Sequence, residues 1–440
     1  MKRILLLLLF PLSLCAQKDI PQQLDKFMQA FTEVRGFSGS VLVMKQGKVM
    51  LRKGYGLADR EWNIPNTPET KFRIGSITKQ FTAACILQLA EENKLSVDDK
   101  LSKYYPDYPN GDKITIHMLL THTSGIANYT AIPGFEKVAT LTWSNDSMIN
   151  YFKNRPVSFQ PGNGWNYSNS GFFLLGCIIE KVSGQTYNDY LRSHILDKIG
   201  MTNSGCDRMD SVLALRARGY KVNKKQTYNA DVISLAWPFS AGVIYSTIDD
   251  LYKWDRALYN NAVLTDSSRK KMFTPYKHDY GYGVDVDSFE NHPRIWHNGG
   301  IPGFVANLSR FPADDITTIV LSNNESNADF IAIGLADILF GIPIEAPYVH
   351  KAVKIDPALL PRYVGKYNGG LIIEVIQKGD KLYRHREGTP DVELIPESNC
   401  KFFYGDESDR QLEFEVDKNG VVTKIWFSNN GQRGELKKMN

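Results

Sequence analysis

The chain has 440 residues, 42% of them apolar, 23% charged and 12% aromatic, a composition that excludes a disordered tail, a collagen-like repeat and a low-complexity scaffold. At roughly 100 to 200 residues per domain, the length allows two or three domains and a core large enough to frame a cleft. Lysine plus arginine at 52 against 48 acidic residues gives a net charge of +4. The signs are interspersed, which argues against nucleic acid, because phosphate binding needs a concentrated basic face.

The N-terminus, MKRILLLLLFPLSLCAQ, joins a basic start at Lys2 and Arg3 to an apolar run over 4–14 and a small residue, Ala16, before Gln17. This pattern predicts a secretory signal peptide over 1–16 and a secreted or periplasmic protein. The run falls well short of the about 20 residues that cross a bilayer, so no transmembrane segment is expected once the signal is cleaved. Cys15 leaves a lipoprotein anchored on that cysteine as the alternative, against which the bulky Leu14 stands. The other four cysteines, Cys85, Cys177, Cys206 and Cys400, are far apart and imply no disulfide framework. CxxC and HExxH spacings are both missing, and His117 and His122 have no third ligand in view, so neither a metal nor another cofactor is expected.

In chain order, the pattern predicts a helix over 22–32 and then a hairpin of 39–44 and 49–51 around Gln46-Gly47. A helix follows from Ser76 to about 93, with Ile77, Phe81, Ala84, Cys85 and Leu89 on or near one stripe. An apolar helix lies within 164–182, Ser246-x-x-Asp249 reads as a capping box for a helix over 251–258, and 317–322 reads as a buried strand. Strands at both ends with helices between them predict an α/β core with a helical insertion. Gly341 to Tyr348, with two prolines, reads as a stiff linker. Beyond Pro361, alternating runs at 371–376, 381–386, 402–404, 412–416 and 421–427, separated by turns such as Lys378-Gly379-Asp380, predict a small all-β domain, a sandwich or a barrel. The predicted organisation is a signal over 1–16, an α/β domain over 17–345 and a β-rich domain over 346–440.

Chemistry concentrates in three segments. Ser76-x-x-Lys79 places a hydroxyl and an amine on one face of a helix start, where free N–H groups and the helix dipole also favour an oxyanion. A lysine serves as base for a serine only if burial lowers its pKa. The same spacing recurs at Ser267, Ser268 and Ser398, none of which opens a long apolar helix, so it is unspecific alone. Tyr167-x-Asn169 puts a phenol and an amide in a polar loop before a helix, and Trp296-His297-Asn298-Gly299-Gly300 puts an imidazole and two glycines beside a predicted strand. In this order and at this spacing the three segments form a signature. The nearest approach to a G-x-S-x-G elbow, Pro238-Phe-Ser240-Ala-Gly242, has proline in place of the first glycine.

With these segments, and with Lys71-Phe-Arg-Ile-Gly-Ser-Ile-Thr-Lys79, Leu119-Leu-Thr-His-Thr-Ser-Gly125 and Ser240-Ala-Gly242, the chain resembles the serine hydrolases related to class C β-lactamases and D,D-peptidases of the penicillin-binding-protein type. The resemblance spans roughly 37–324 and implies an antiparallel sheet flanked by helices with a helical subdomain. The β-rich tail is similar to the lipocalin-like domains appended to several members. The resemblance makes Ser76 the acylated nucleophile, Lys79 and Tyr167 a coupled proton shuttle, Asn169 an anchor for the substrate amide and Lys79, and Ser76 and Gly300 the oxyanion donors. Gly299 belongs to the same close-approach segment, and His297 takes the place of the first residue of the family's Lys-Thr-Gly motif.

Histidine there looks more like the D,D-peptidases, D-amino-acid peptidases and esterases than the β-lactamases, because at its usual pKa of about 6.5 it is mostly neutral at pH 7. The expected activity is hydrolysis of an amide or ester, such as a D-amino-acid peptide or a small ester. A true β-lactamase, and a non-catalytic receptor for peptide or glycan, are the alternatives. His122 reads as structural, while Asn128, Tyr129 and Trp237 are candidates for the pocket wall, as is the rim segment 130–159.

Overall fold

A computed structural model describes residues 19–223, 226–406, 408–429 and 431–439 of the protein. The segment expected to be a signal, Cys15 included, lies outside them. Helix α1 (Ile20–Arg35) ends on Gly36 in the left-handed conformation and leads into β1 (Gly39–Lys45), which turns through Gln46 and Gly47 into β2 (Lys48–Tyr55). The 3-10 turn Gly75–Ile77 opens α2 (Thr78–Glu91), and two further helices, α3 (Asn169–Ser183) and α4 (Ile248–Ala257), follow at longer intervals. The chain then returns as β3 (Asp285–Phe289), β4 (His292–Ile301), β5 (Phe304–Phe311) and β6 (Ile316–Ser322), and α5 (Ala328–Phe340) closes this part.

These strands form one antiparallel sheet in the order β3-β4-β5-β6-β1-β2, with Gly39 of β1 facing Ser322 of β6. Alternation along β1 divides the core in two. Val41 and Val43 pack with Leu24 and Phe27 of α1 and Ile331 and Leu335 of α5, whereas Leu42 and Met44 face the helical side. β6, central in the sheet, is buried along its whole length.

Helix α2 departs from the expected single stripe: every residue from Thr78 to Leu89 is buried. It lies in the helical half of the core, packed against α3 and with Phe81 stacked on Trp254 of α4 at 4.1 Å, so no face is left for water. The cap of α4 also differs by one residue. The Thr247 side chain, not Ser246, accepts from the Asp250 N–H, and the helix starts at Ile248.

After α5 the chain runs without regular structure to the 3-10 segment Pro357–Tyr363. Eight strands then follow as a closed up-and-down barrel, each pairing with the next and the first with the last through Tyr367 and Lys438. Alternate side chains, among them Tyr367, Val375, Leu382, Phe402, Phe414 and Ile425, fill it. Three strands, Gly365–Asn368, Val392–Pro396 and Gln432–Lys438, are additional to the five runs legible in the sequence. Among the described residues no helix is long and apolar enough to cross a membrane.

Candidate active site

The site sits where strand β4 crosses the turn that begins α2, and glycine makes that crossing possible. Gly75 has φ +51, and a Cβ on it would stand 2.6 Å from the Gly300 amide nitrogen. A Cβ on Gly299 would stand 1.9 Å from the Ile74 carbonyl oxygen. Both positions exclude a side chain on steric grounds, and together they bring the Gly299-Gly300 backbone against Ser76. A Cβ on Gly300 would meet nothing within 4 Å, because that residue faces the open pocket.

Lys79 lies one turn after Ser76 and is fully buried. Its Nζ donates to Asn169 Oδ1 at 2.8 Å and to the Ala241 carbonyl at 2.8 Å, and lies 3.0 Å from Ser76 Oγ. Burial pushes its pKa well below that of an ordinary lysine. An amine so depressed and in contact with a hydroxyl is placed to take its proton. Asn169 opens α3, and its own N–H donates to Asn128 Oδ1 at 3.2 Å. Asn128 therefore fixes Asn169, while Tyr129 and Trp237 do line the pocket beside Ser76.

Tyr167 lies over Lys79, with Nζ 4.8 Å from the ring centre. Its hydroxyl is buried with no hydrogen-bond partner of normal geometry. Burial raises its pKa, and the neighbouring Ser76 side chain offsets part of that rise. His122 holds the loop on both sides of Tyr167: its carbonyl accepts from the Asn166 N–H at 3.0 Å and its Nδ1 from the Ser168 N–H at 3.1 Å. Its ring packs 4.3 Å from the Tyr167 ring. Holding this geometry puts His122 at φ +59, uncommon for a residue with a side chain.

His297 is buried, and its two ring nitrogens are both engaged within the protein. Nδ1 meets the Asn298 carbonyl, which can only accept, so Nδ1 carries the proton and Nε2 accepts from the Tyr280 hydroxyl at 3.0 Å. Burial, then the nearby Lys79, push its pKa down to about 3, with the Asn298 carbonyl opposing them. The ring is therefore neutral. Asn298 turns away, its amide donating to Asp329 at 2.8 Å.

Sequence reasoning missed Tyr280. It belongs to Tyr280-Gly281-Tyr282-Gly283, and an aromatic–glycine run just ahead of the strand that carries the imidazole was the available signal. Ser240 is a packing residue whose Oγ donates to the Phe172 carbonyl at 2.8 Å. Among the described residues, no three His, Cys, Asp or Glu side chains are grouped to hold a metal ion.

Comparison with known proteins places the fold in a family. The sequence profile of the Beta-lactamase family matches residues 24–339. PbpX of Bacillus subtilis (strain 168) is 36% identical over 295 residues, which are 66% of this chain and 72% of that protein. Penicillin-binding protein 4* of the same strain is 30% identical over 429 residues, 90% of this chain and 93% of its own. Among solved structures, the octameric penicillin-binding protein homologue from Pyrococcus abyssi superposes with a TM-score of 0.68 at 26% identity over 94% of this chain and 99% of that one. The chain belongs to the Beta-lactamase family, a family of serine hydrolases that includes penicillin-binding proteins, and it carries a separate eight-stranded barrel behind the family domain.

Proposed function

We propose that the protein is an exported serine hydrolase that cleaves an ester or amide through an acyl-enzyme on Ser76. The observation that carries this reading is the buried, pKa-depressed Lys79 amine at 3.0 Å from Ser76 Oγ. In the acylation step the neutral amine takes the hydroxyl proton as Oγ attacks the carbonyl carbon. The oxygen that gains charge is met by the N–H groups of Ser76 and Gly300, and losing one such donor costs roughly 100-fold or more. Tyr167, kept protonated by burial, gives its proton to the leaving group and regains one from the Lys79 ammonium. Water then attacks the ester and the same groups act in reverse.

Substrates without a carboxylate beside the scissile bond fit best, namely small esters and D-amino-acid amides or peptides with a free N-terminus. The neutral His297 supplies no cation where a β-lactam carboxylate would lie. Export rests on the N-terminal pattern Lys2 to Ala16. The reading is tested by intact-protein mass spectrometry of the mature chain after a fluorophosphonate and, separately, a penicillin. A single adduct lost in Ser76→Ala is the expected result. No adduct with either reagent overturns it in favour of a non-catalytic receptor, and rapid loss of the penicillin adduct with turnover makes the protein a β-lactamase.

A further inference from the structure

The pocket beside Ser76 encloses about 160 Å³, and none of the residues that line it is charged. Its walls are mostly apolar, Tyr129, Phe135, Ile233, Trp237, Ile301 and Pro302 among them, with Thr130 and Asn169 as uncharged polar groups beside Ser76 and Gly300. The aromatic part of the wall is fixed. Trp237 Nε1 donates to the Leu141 carbonyl at 3.0 Å, the Tyr129 hydroxyl donates to the Trp237 carbonyl at 2.6 Å, and the Phe135 ring meets Trp237 edge-on at 5.0 Å. An apolar cavity of about 150 Å³ is large enough to take up benzene.

The arrangement also states which part of a substrate enters. An acyl group on Ser76 Oγ, with its oxygen toward Gly300, is bonded at the mouth of this pocket. The leaving group must meet Lys79 or Tyr167 to be protonated, and neither residue lines the pocket. The pocket therefore belongs to the acyl side.

We infer that the enzyme selects a neutral, apolar acyl group of about the size of a phenyl ring, such as an arylacetyl group or the side chain of an aromatic or large branched amino acid. The inference rests on the acyl-enzyme reading above. Burying a ring in place of a methyl group is worth roughly 10-fold or more in kcat/KM, the scale on which apolar pockets discriminate.

The test uses p-nitrophenyl acetate, phenylacetate and hemisuccinate, which share one leaving group, each rate being normalised to its hydroxide-catalysed hydrolysis. Phenylacetate is expected to exceed acetate by about 10-fold in kcat/KM, with hemisuccinate lowest. Ile233→Trp fills the pocket and should lower the phenylacetate-to-acetate ratio about 10-fold, while Phe135→Ala should move the optimum to a naphthylacetyl ester. Fluorophosphonate labelling of Ser76 in each variant reports that the folded site persists. Acetate or hemisuccinate equal to phenylacetate, or a ratio unmoved in labelled Ile233→Trp, overturns the acyl assignment alone. Absence of any Ser76-dependent turnover and labelling overturns the hydrolase reading itself.

Discussion

The cleft and the C-terminal barrel treat charge and polarity in opposite ways. In the barrel the ionic groups stay at the surface in pairs, Lys381 with Glu393, Lys424 with Glu435 and Arg433 with Glu413, and the interior is filled by apolar and aromatic side chains. Such pairs contribute little to stability. In the cleft Lys79, His122 and His297 are all buried and all have pKa values pushed down by burial. Three buried polar atoms without partners, His122 Nε2, Trp165 Nε1 and Ser168 Oγ, lie in the same strip, together with the Tyr167 hydroxyl, which has no partner of normal geometry. An unpaired buried polar atom costs about 1–3 kcal/mol, so a fold that keeps several together is giving up stability there for chemistry. In the C-terminal part such atoms are scattered among the described residues, Arg362 Nε and His350 Nε2, and none lies among the side chains that fill the barrel.

The contrast is broken most directly at Ser76. Ser76→Ala should lower kcat on the order of 10⁴-fold or more while leaving the thermal midpoint near that of the parent, read by steady-state kinetics and calorimetry. Phe414→Ala in the barrel should do the reverse, losing about 3–5 kcal/mol of barrel stability in denaturant with kcat/KM unchanged.

The two adjacent glycines sharpen the comparison within the cleft. Gly299→Ala, whose Cβ would strike Ile74, should lower the melting temperature as well as activity, whereas Gly300→Ala, which keeps its N–H and adds only a methyl group at the pocket, should keep the melting temperature and lose roughly 10-fold in kcat/KM. Tyr280→Phe removes the donor on His297 Nε2 and frees that nitrogen to take a proton. The His297 pKa should rise from about 3, read by NMR titration of the imidazole, while kcat/KM at neutral pH, where the ring stays neutral, changes little. An unmoved His297 pKa would show that Tyr280 only packs.

The smallest effect concerns Asp285, which burial, reinforced by Asp287, pushes up to about 7. Between its unfolded value near 3.8 and about 7 the folded chain binds more protons than the unfolded one, so its stability falls as pH rises through that window. Asp285→Asn removes the proton uptake. Its melting temperature relative to the parent should climb by roughly 3 °C from pH 4 to pH 7, and a constant difference would refute the assignment.

How much of this was legible in the sequence follows from what each residue type must do locally. The three motif segments and the hydrolase part of the fold could be read because Ser76, Lys79, Tyr167 and His297 each combine a reactive group with a distinctive neighbour. The strand Gln432–Lys438 escaped because Leu436 alone among its residues is buried, leaving no alternation to see. Tyr280 escaped because its bond to His297 spans 17 positions and depends on where the loop before β3 places the ring. His122 was legible as structural, but its grip on both flanks of Tyr167, 45 positions on, is a tertiary fact that periodicity does not encode.

One pairing has a consequence for how the chain matures. β1 is zipped to β6, and the Ser322 hydroxyl reaches the Ser38 carbonyl across 284 positions. The hydrolase sheet therefore cannot close until nearly all of that domain has been synthesised, so its first hairpin must wait with an open strand edge that other chains can capture. The barrel pairs each strand with its immediate successor and only its last step is distant, so it can form quickly once it emerges. Refolding should accordingly show a fast phase from the barrel and a slow, concentration-sensitive phase from the sheet that carries Gly300.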